Sequence, residues 1–145
     1  MEKELKNILI IDDDSFLLDM YALKFIKSNF NVSTALGSEL ALEKLRGGLK
    51  PEIILLDIMM PVMDGFELIE KIREEKLASD AIVIFLSNRG QPSDVTRAEE
   101  LGASGYIVKA SCIPSEVIEK VQAIINKTKN KKQIIPVPLE VVTKI

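Results

Sequence analysis

The chain has 145 residues, 47% of them hydrophobic and 28% charged, with a net charge of −3. That is the size of a single globular domain whose core is large enough to need no disulfide or structural metal, and the acidic balance excludes direct nucleic-acid binding as a default, because phosphate recognition needs a concentrated basic face. One cysteine, Cys112, and no histidine are present, so no internal disulfide can form, a reducing, cytoplasmic setting is expected, and the chain offers no imidazole as base or metal ligand. The acid-bearing start, Met1-Glu2-Lys3-Glu4, leads into an apolar run too short for a signal peptide or a membrane span, and no membrane insertion is expected.

In chain order, Asn7-Ile8-Leu9-Ile10-Ile11 reads as a buried strand that ends on Asp12-Asp13-Asp14. Asp14 or Ser15 is placed to cap a first helix with an apolar stripe of Leu18, Ala22, Phe25 and Ile26. Asn29-Phe30-Asn31 breaks it, and Val32-Ser33-Thr34-Ala35 is a short second strand. Ser38 is expected to cap a second helix that buries Leu42 and Leu45 and ends at Gly47-Gly48. Ile53-Ile54-Leu55-Leu56 is a third strand that stops on Asp57. A carboxylate there is costly to desolvate unless something compensates it. Asp64 and Glu67 form a capping-box pattern ahead of a third helix with Leu68, Ile69 and Ile72 on its apolar face. Ala81 to Leu86 is a fourth strand ending on Ser87, followed by a polar loop and a fourth helix expected to be capped at Ser93 and closed by Gly102. Gly105-Tyr106-Ile107-Val108 is a fifth strand ending on Lys109, and Pro114 opens a last helix with Val117, Ile118, Val121, Ile124 and Ile125 inward.

Five alternations of apolar strand and helix imply parallel βαβ units with right-handed crossovers and helices on both faces of the sheet. Residues 1–128 are expected to form this domain. Residues 129–145 form a tail, lysine-rich at first and then extended and apolar, in which Pro136 and Pro138 bar a helix or a central strand. This tail is read as a linker or a docking segment that could lie on its own sheet edge, pair with a second copy, or stay disordered.

In a parallel sheet all strand C-termini share one edge, and in open α/β sheets that edge is where ligands bind. Asp12, Asp13, Asp57, Ser87 and Lys109 therefore converge. Crowded carboxylates repel one another, and a hard cation relieves them; an all-oxygen set suits Mg²⁺. A carboxylate in that setting can attack phosphorus and become an acyl phosphate, with Ser87 and Lys109 as partners for the phosphoryl oxygens. Taken singly each residue has a plain reading: an acidic helix cap, a turn aspartate, a strand-end hydroxyl, a surface lysine. The joint placement carries the argument.

The set Ile10-Ile11-Asp12-Asp13-Asp14, Leu55-Leu56-Asp57-Ile58-Met59-Met60-Pro61-Val62-Met63-Asp64-Gly65, Leu86-Ser87 and Tyr106-Ile107-Val108-Lys109 resembles the CheY-like receiver domain of two-component response regulators, over about residues 5–128. The resemblance implies a flavodoxin-like α/β/α sandwich with a five-stranded parallel sheet in the order 2-1-3-4-5. It implies that Asp57 accepts phosphate from a sensor histidine kinase or a phosphotransfer protein, without the chain being an enzyme beyond its own phosphotransfer and dephosphorylation. It implies that Asp12, Asp13, Asp57 and the Met59 carbonyl hold Mg²⁺ and that Lys109 grips the phosphate. Ser87 is implied to move toward the phosphoryl group while Tyr106 turns inward, remodelling a face of the fourth helix, fifth strand and last helix that a downstream protein or a second copy reads. Two departures stand out: Asn88 where the family usually has a small residue, and Ala110 where it usually has proline, which makes a cis bond there improbable. Met59 and Arg89 flank the site at positions that gate the attacking water in this family. A degenerate, phosphorylation-independent interaction module is the alternative. A haloacid-dehalogenase-like phosphatase is disfavoured, because no Asp follows Lys109 to supply its late acidic pair.

Overall fold

A computed structural model describes residues 5–109, 113–130 and 140–142. The elements run β1 (Lys6–Asp12), α1 (Ser15–Lys27), β2 (Phe30–Leu36), α2 (Ser38–Arg46), β3 (Ile53–Leu56), α3 (Gly65–Glu74), β4 (Ile82–Ser87), α4 (Pro92–Glu100), β5 (Gly105–Val108), α5 (Pro114–Asn130) and β6 (Glu140–Val142). The first five strands are parallel in the order β2-β1-β3-β4-β5, the doubly wound α/β sandwich expected from the alternation. β6, near the end of the tail, adds a sixth parallel strand outside β5. Among the described residues no helix is long and apolar enough to cross a membrane.

The strands alternate their side chains between two cores, because successive residues of a strand point to opposite faces. Leu9, Ile11, Ile54, Leu56, Phe85 and Tyr106 pack against α2, α3 and α4. Ile8, Ile10, Ile53, Leu55, Ile84 and Ile107 pack against α1 and α5. With water excluded from both faces, β3 and β5 are buried along their whole length, and each such Ile or Leu contributes roughly 1.5–3 kcal/mol relative to exposure.

Several local expectations are corrected. β2 is longer than Val32–Ala35, and Phe30, taken as part of the break, starts it and packs edge-on against Phe25 at 5.0 Å. Ile26 of the expected α1 stripe is exposed and Ala22 only half-buried; Leu18, Tyr21 and Phe25 form the inner face. Ser38 is not a cap. Gly37, in the left-handed region at φ +95°, precedes the helix, and the Ser38 hydroxyl donates to the Met63 carbonyl at 2.7 Å, tying α2 to the loop after β3. Ser93 likewise lies inside α4, which starts at Pro92 after Gln91. The helix α5 runs to Asn130, two residues past the expected domain end at 128. Ala110, Cys112 and most of the tail lie outside the described residues.

Four connections share one hand. The crossovers through α2, α3 and α4 move away from β2 on one face, and the crossover through α1 moves the opposite way on the other. The connection from β5 through α5 to β6 moves away from β2 on the α1 face, so it has the opposite hand.

Candidate functional site

The carboxyl ends of β1, β3, β4 and β5 deliver Asp12, Asp57, Ser87 and Lys109 to one edge, all four buried. Asp13, beside Asp12, is exposed. One carboxylate oxygen from each of Asp12, Asp13 and Asp57 lies within 4.8 Å of the other two. The Lys109 ammonium donates to Asp12 Oδ2 at 3.1 Å and to Asp57 Oδ2 at 3.4 Å, so it bridges two of the three carboxylates. The other oxygens are held by backbone: Asp12 Oδ1 accepts from the Asp14 N–H at 3.0 Å, and Asp57 Oδ1 accepts from the Ile58 N–H at 2.7 Å.

The sequence builds this geometry locally. Asp14 caps α1, accepting from the N–H groups of Phe16 and Leu17, which turns the chain away directly after Asp12. After Asp57, Asp64 and Glu67 close the expected capping box on α3. Between them, Gly65 lets α3 approach the strand end: a Cβ there would sit 2.3 Å from the Asp57 carbonyl oxygen. Met59 and Val62 in this loop are exposed, as is Phe16 on α1, and Val62 adopts a φ of +70° that a β-branched residue rarely takes.

Electrostatics follow from the packing. Burial pushes the Asp57 carboxyl up, the Lys109 ammonium pulls it down and the Asp12 charge pushes it up again, leaving it above the usual carboxylate range. Burial pulls the Lys109 ammonium down, but Asp57 and Asp12 more than offset this and raise it. Three carboxylates against one ammonium leave excess negative charge lined with oxygen donors, which fits a hard divalent cation such as Mg²⁺.

Ser87 accepts a hydrogen bond from the Arg89 N–H at 3.2 Å. Tyr106 stands fully buried, and its hydroxyl donates to the Arg89 carbonyl. Burial, and next the charge of Asp94, push the Tyr106 phenol up to about 12. Asn88 is exposed, so the larger residue at this position does not fill the site. The Arg89 guanidinium turns to α4 and makes a bidentate pair with the buried Asp94, at 3.1 and 3.0 Å. Asp94 went unnoticed in the sequence because a first-turn aspartate normally serves the helix end in solvent; the signal available was an Arg ahead of the helix and an Asp within it, which no short motif connects.

The family model for the response regulator receiver domain matches residues 8–122. The alkaline phosphatase synthesis transcriptional regulatory protein PhoP of Bacillus subtilis is 32% identical over 123 residues, covering 85% of this chain and 50% of that protein. The phosphate regulon transcriptional regulatory protein PhoB of Pseudomonas aeruginosa is 29% identical, covering 85% and 53%. The chain thus spans about half the length of the curated relatives it matches. Among solved structures, the chemotaxis response regulator CheY4 of Vibrio cholerae shares the fold, with TM-score 0.74, 24% identity, and coverage of 83% of this chain and 98% of that one. A chain of the CheX-CheY-BeF3-Mg complex from Borrelia burgdorferi is 31% identical with TM-score 0.74, covering 83% and 89%. A family match over that much of its length makes this chain a member of the response regulator receiver domain family.

Proposed function

We propose that Asp57 is the phosphoacceptor of a signalling switch, taking a phosphoryl group from a phosphohistidine on a sensor kinase or a phosphotransfer protein. Receiver domains are signalling domains that bind Mg²⁺ at an acidic pocket and interact with histidine kinases and downstream effectors. Here Asp12, Asp13, Asp57 and the Met59 carbonyl would hold the ion, which when bound neutralises the carboxylates and the incoming phosphoryl oxygens. The observation that carries the reading is the clustering of three carboxylates within 4.8 Å with the Lys109 ammonium seated on two of them. The BeF3 and Mg named with the CheY complex from Borrelia burgdorferi agree with it.

An Asp57 carboxylate oxygen attacks phosphorus, a P–O bond forms, and the P–N bond to the donor imidazole breaks. The imidazole nitrogen keeps the electron pair and takes a proton from solvent. Lys109 then exchanges a carboxylate oxygen for a phosphoryl oxygen, and Ser87 donates its hydroxyl proton to another. Release is the reverse in kind: water attacks phosphorus, the P–O bond to Asp57 breaks, and inorganic phosphate departs. The switch needs only differential contact: a phosphoryl group that bonds Ser87 in one arrangement of the β4–α4 loop shifts the population toward it. The inward Tyr106 belongs to the arrangement that phosphorylation favours, and partner proteins read the face of α4, β5 and α5. The exposed apolar side chains of Phe16, Met59, Val62 and Ile113 suit a protein donor over a small metabolite.

The test is incubation of the chain with acetyl phosphate and Mg²⁺, followed by intact-mass measurement. A single phosphoryl adduct is expected, lost with chelator and lost in Asp57→Asn. A wild-type chain that gains no adduct would leave the interaction-module reading, and an adduct that survives in Asp57→Asn would place the acceptor elsewhere.

A further inference from the structure

β6 does not follow the rules that build the rest of the sheet. It pairs through three residues, Glu140, Val141 and Val142, one fewer than the four of the β1–β3, β3–β4 and β4–β5 pairs. It is reached by a connection of the opposite hand to the other four, and parallel crossovers are right-handed in about 98% of cases. Topology therefore does not hold β6 in place; a few edge hydrogen bonds do. Without it, β5 would be the sheet edge and would present unpaired N–H and C=O groups, a ready template for another chain.

We propose that Glu140–Val142 is a detachable plug that covers the β5 edge and keeps it from pairing with the β5 edge of a second copy. Two such edges are self-complementary about a two-fold axis, so their union closes as a dimer and does not propagate. The plug is also wired to the site. Val141 stands opposite Tyr106 in the register, the Tyr106 hydroxyl bonds the Arg89 carbonyl, and the Arg89 N–H bonds Ser87. A rearrangement at Ser87 reaches the strand that holds the plug in two hydrogen-bonded steps. The tether is short: the 131–139 segment spans at most roughly 30 Å, so a released plug stays at high local concentration and rebinds when the edge is free. The link to phosphorylation rests on the functional reading above; the plug itself does not.

The experiment uses the full-length chain and hydrogen exchange at the β5 amides. Consecutive prolines, in the double variant Val141→Pro/Val142→Pro, remove whichever N–H of the pair faces β5. Relative to wild type, the Gly105–Val108 amides that face β6 should exchange at least about tenfold faster, while β1 and β3 amides are unchanged, which also reports that the variant is folded. Sedimentation should show the variant dimerising at protein concentrations where the wild type is monomeric. Unchanged β5 exchange would overturn the plug, and faster exchange with no gain in dimer would overturn the competition with a second copy. In a further arm, wild type treated with acetyl phosphate should show the same faster exchange once intact mass confirms the adduct. An adduct without faster exchange would overturn the coupling, whereas no adduct at all speaks against the functional reading and leaves the proline arm to decide the plug.

Discussion

At Asp57 the cost of burial and the influence of neighbouring charges are set against each other. Burial and Asp12 hold its pKa above the usual range in spite of Lys109, so the site is charged at some expense and gains from any cation that joins it. Tyr106 shows a related balance that can be measured. Its phenol keeps its proton up to about 12, while an unfolded tyrosine loses it near pH 10. Between these values the unfolded chain binds fewer protons, so stability is full below about pH 10 and falls as pH rises toward 12. Denaturant titrations of wild type and Tyr106→Phe should show the variant losing about 1 kcal/mol near neutral pH, for the lost bond to the Arg89 carbonyl, and losing this alkaline slope. Arg89 is the third residue whose setting a neighbouring charge decides. Its guanidinium is engaged by Asp94 and so held off the carboxylates. If it gates the attacking water, the phosphoryl lifetime of Arg89→Ala should differ from that of wild type when inorganic phosphate release is followed; equal lifetimes would remove Arg89 from the gate.

At the scale of elements, Gly65 decides how closely α3 can stand to the end of β3. Gly65→Ala forces its methyl into the Asp57 carbonyl, and because the obstacle is backbone, the helix must move. A loss of about 1–3 kcal/mol is expected by thermal or chemical unfolding, together with slower phosphorylation as the Asp57 loop shifts. The same scale shows what periodicity can and cannot read. Apolar runs located every strand of the five-stranded core, and the capping box at Asp64 and Glu67 formed as its spacing requires. The caps at Ser38 and Ser93 did not form, because a hydroxyl before an apolar stripe is only permissive: Gly37 supplied the left-handed turn that Ser38 could not, and α4 started two residues earlier, at Pro92 with Gln91 as its cap. Ile26 was misplaced because at about 100° per residue it falls at the margin of the stripe through Leu18, Tyr21 and Phe25.

For the whole molecule, the convergence of Asp12, Asp57, Ser87 and Lys109 was legible in the sequence, because a parallel sheet sends every strand C-terminus to one edge. The Arg89–Asp94 pair and the β5–β6 register were not, since both depend on contacts that no local pattern encodes. Ligand linkage offers a test at this scale. With Mg²⁺ at about a hundred times its dissociation constant, the folded state should gain roughly 2.7 kcal/mol, which for a chain of this size raises Tm by roughly 5–10 °C. Chelator should reverse the gain, and Asp13→Asn, at the exposed member of the cluster, should remove most of it while leaving the metal-free Tm nearly unchanged.

The alternation of β5 between the two cores has a consequence for how information leaves the site. Tyr106 belongs to the core under α3 and α4, and its neighbour Ile107 to the core under α1 and α5. Hydrogen bonds run from Ser87 through Arg89 to Tyr106 and through the Arg89 side chain to Asp94 on α4, all toward the first of these. The second contains Ile84, Leu86, Val121 and Ile124 and is built from apolar contact alone at β5. The sheet thus separates the polar contacts of the site, on the α4 side, from a purely apolar packing of β5 on the side of α1 and α5. Trimming Ile124 or Val121 should lower stability while leaving the Ser87–Arg89–Tyr106 hydrogen bonds in place, whereas equal volume removed at Phe85, which packs beside Tyr106, should disturb both.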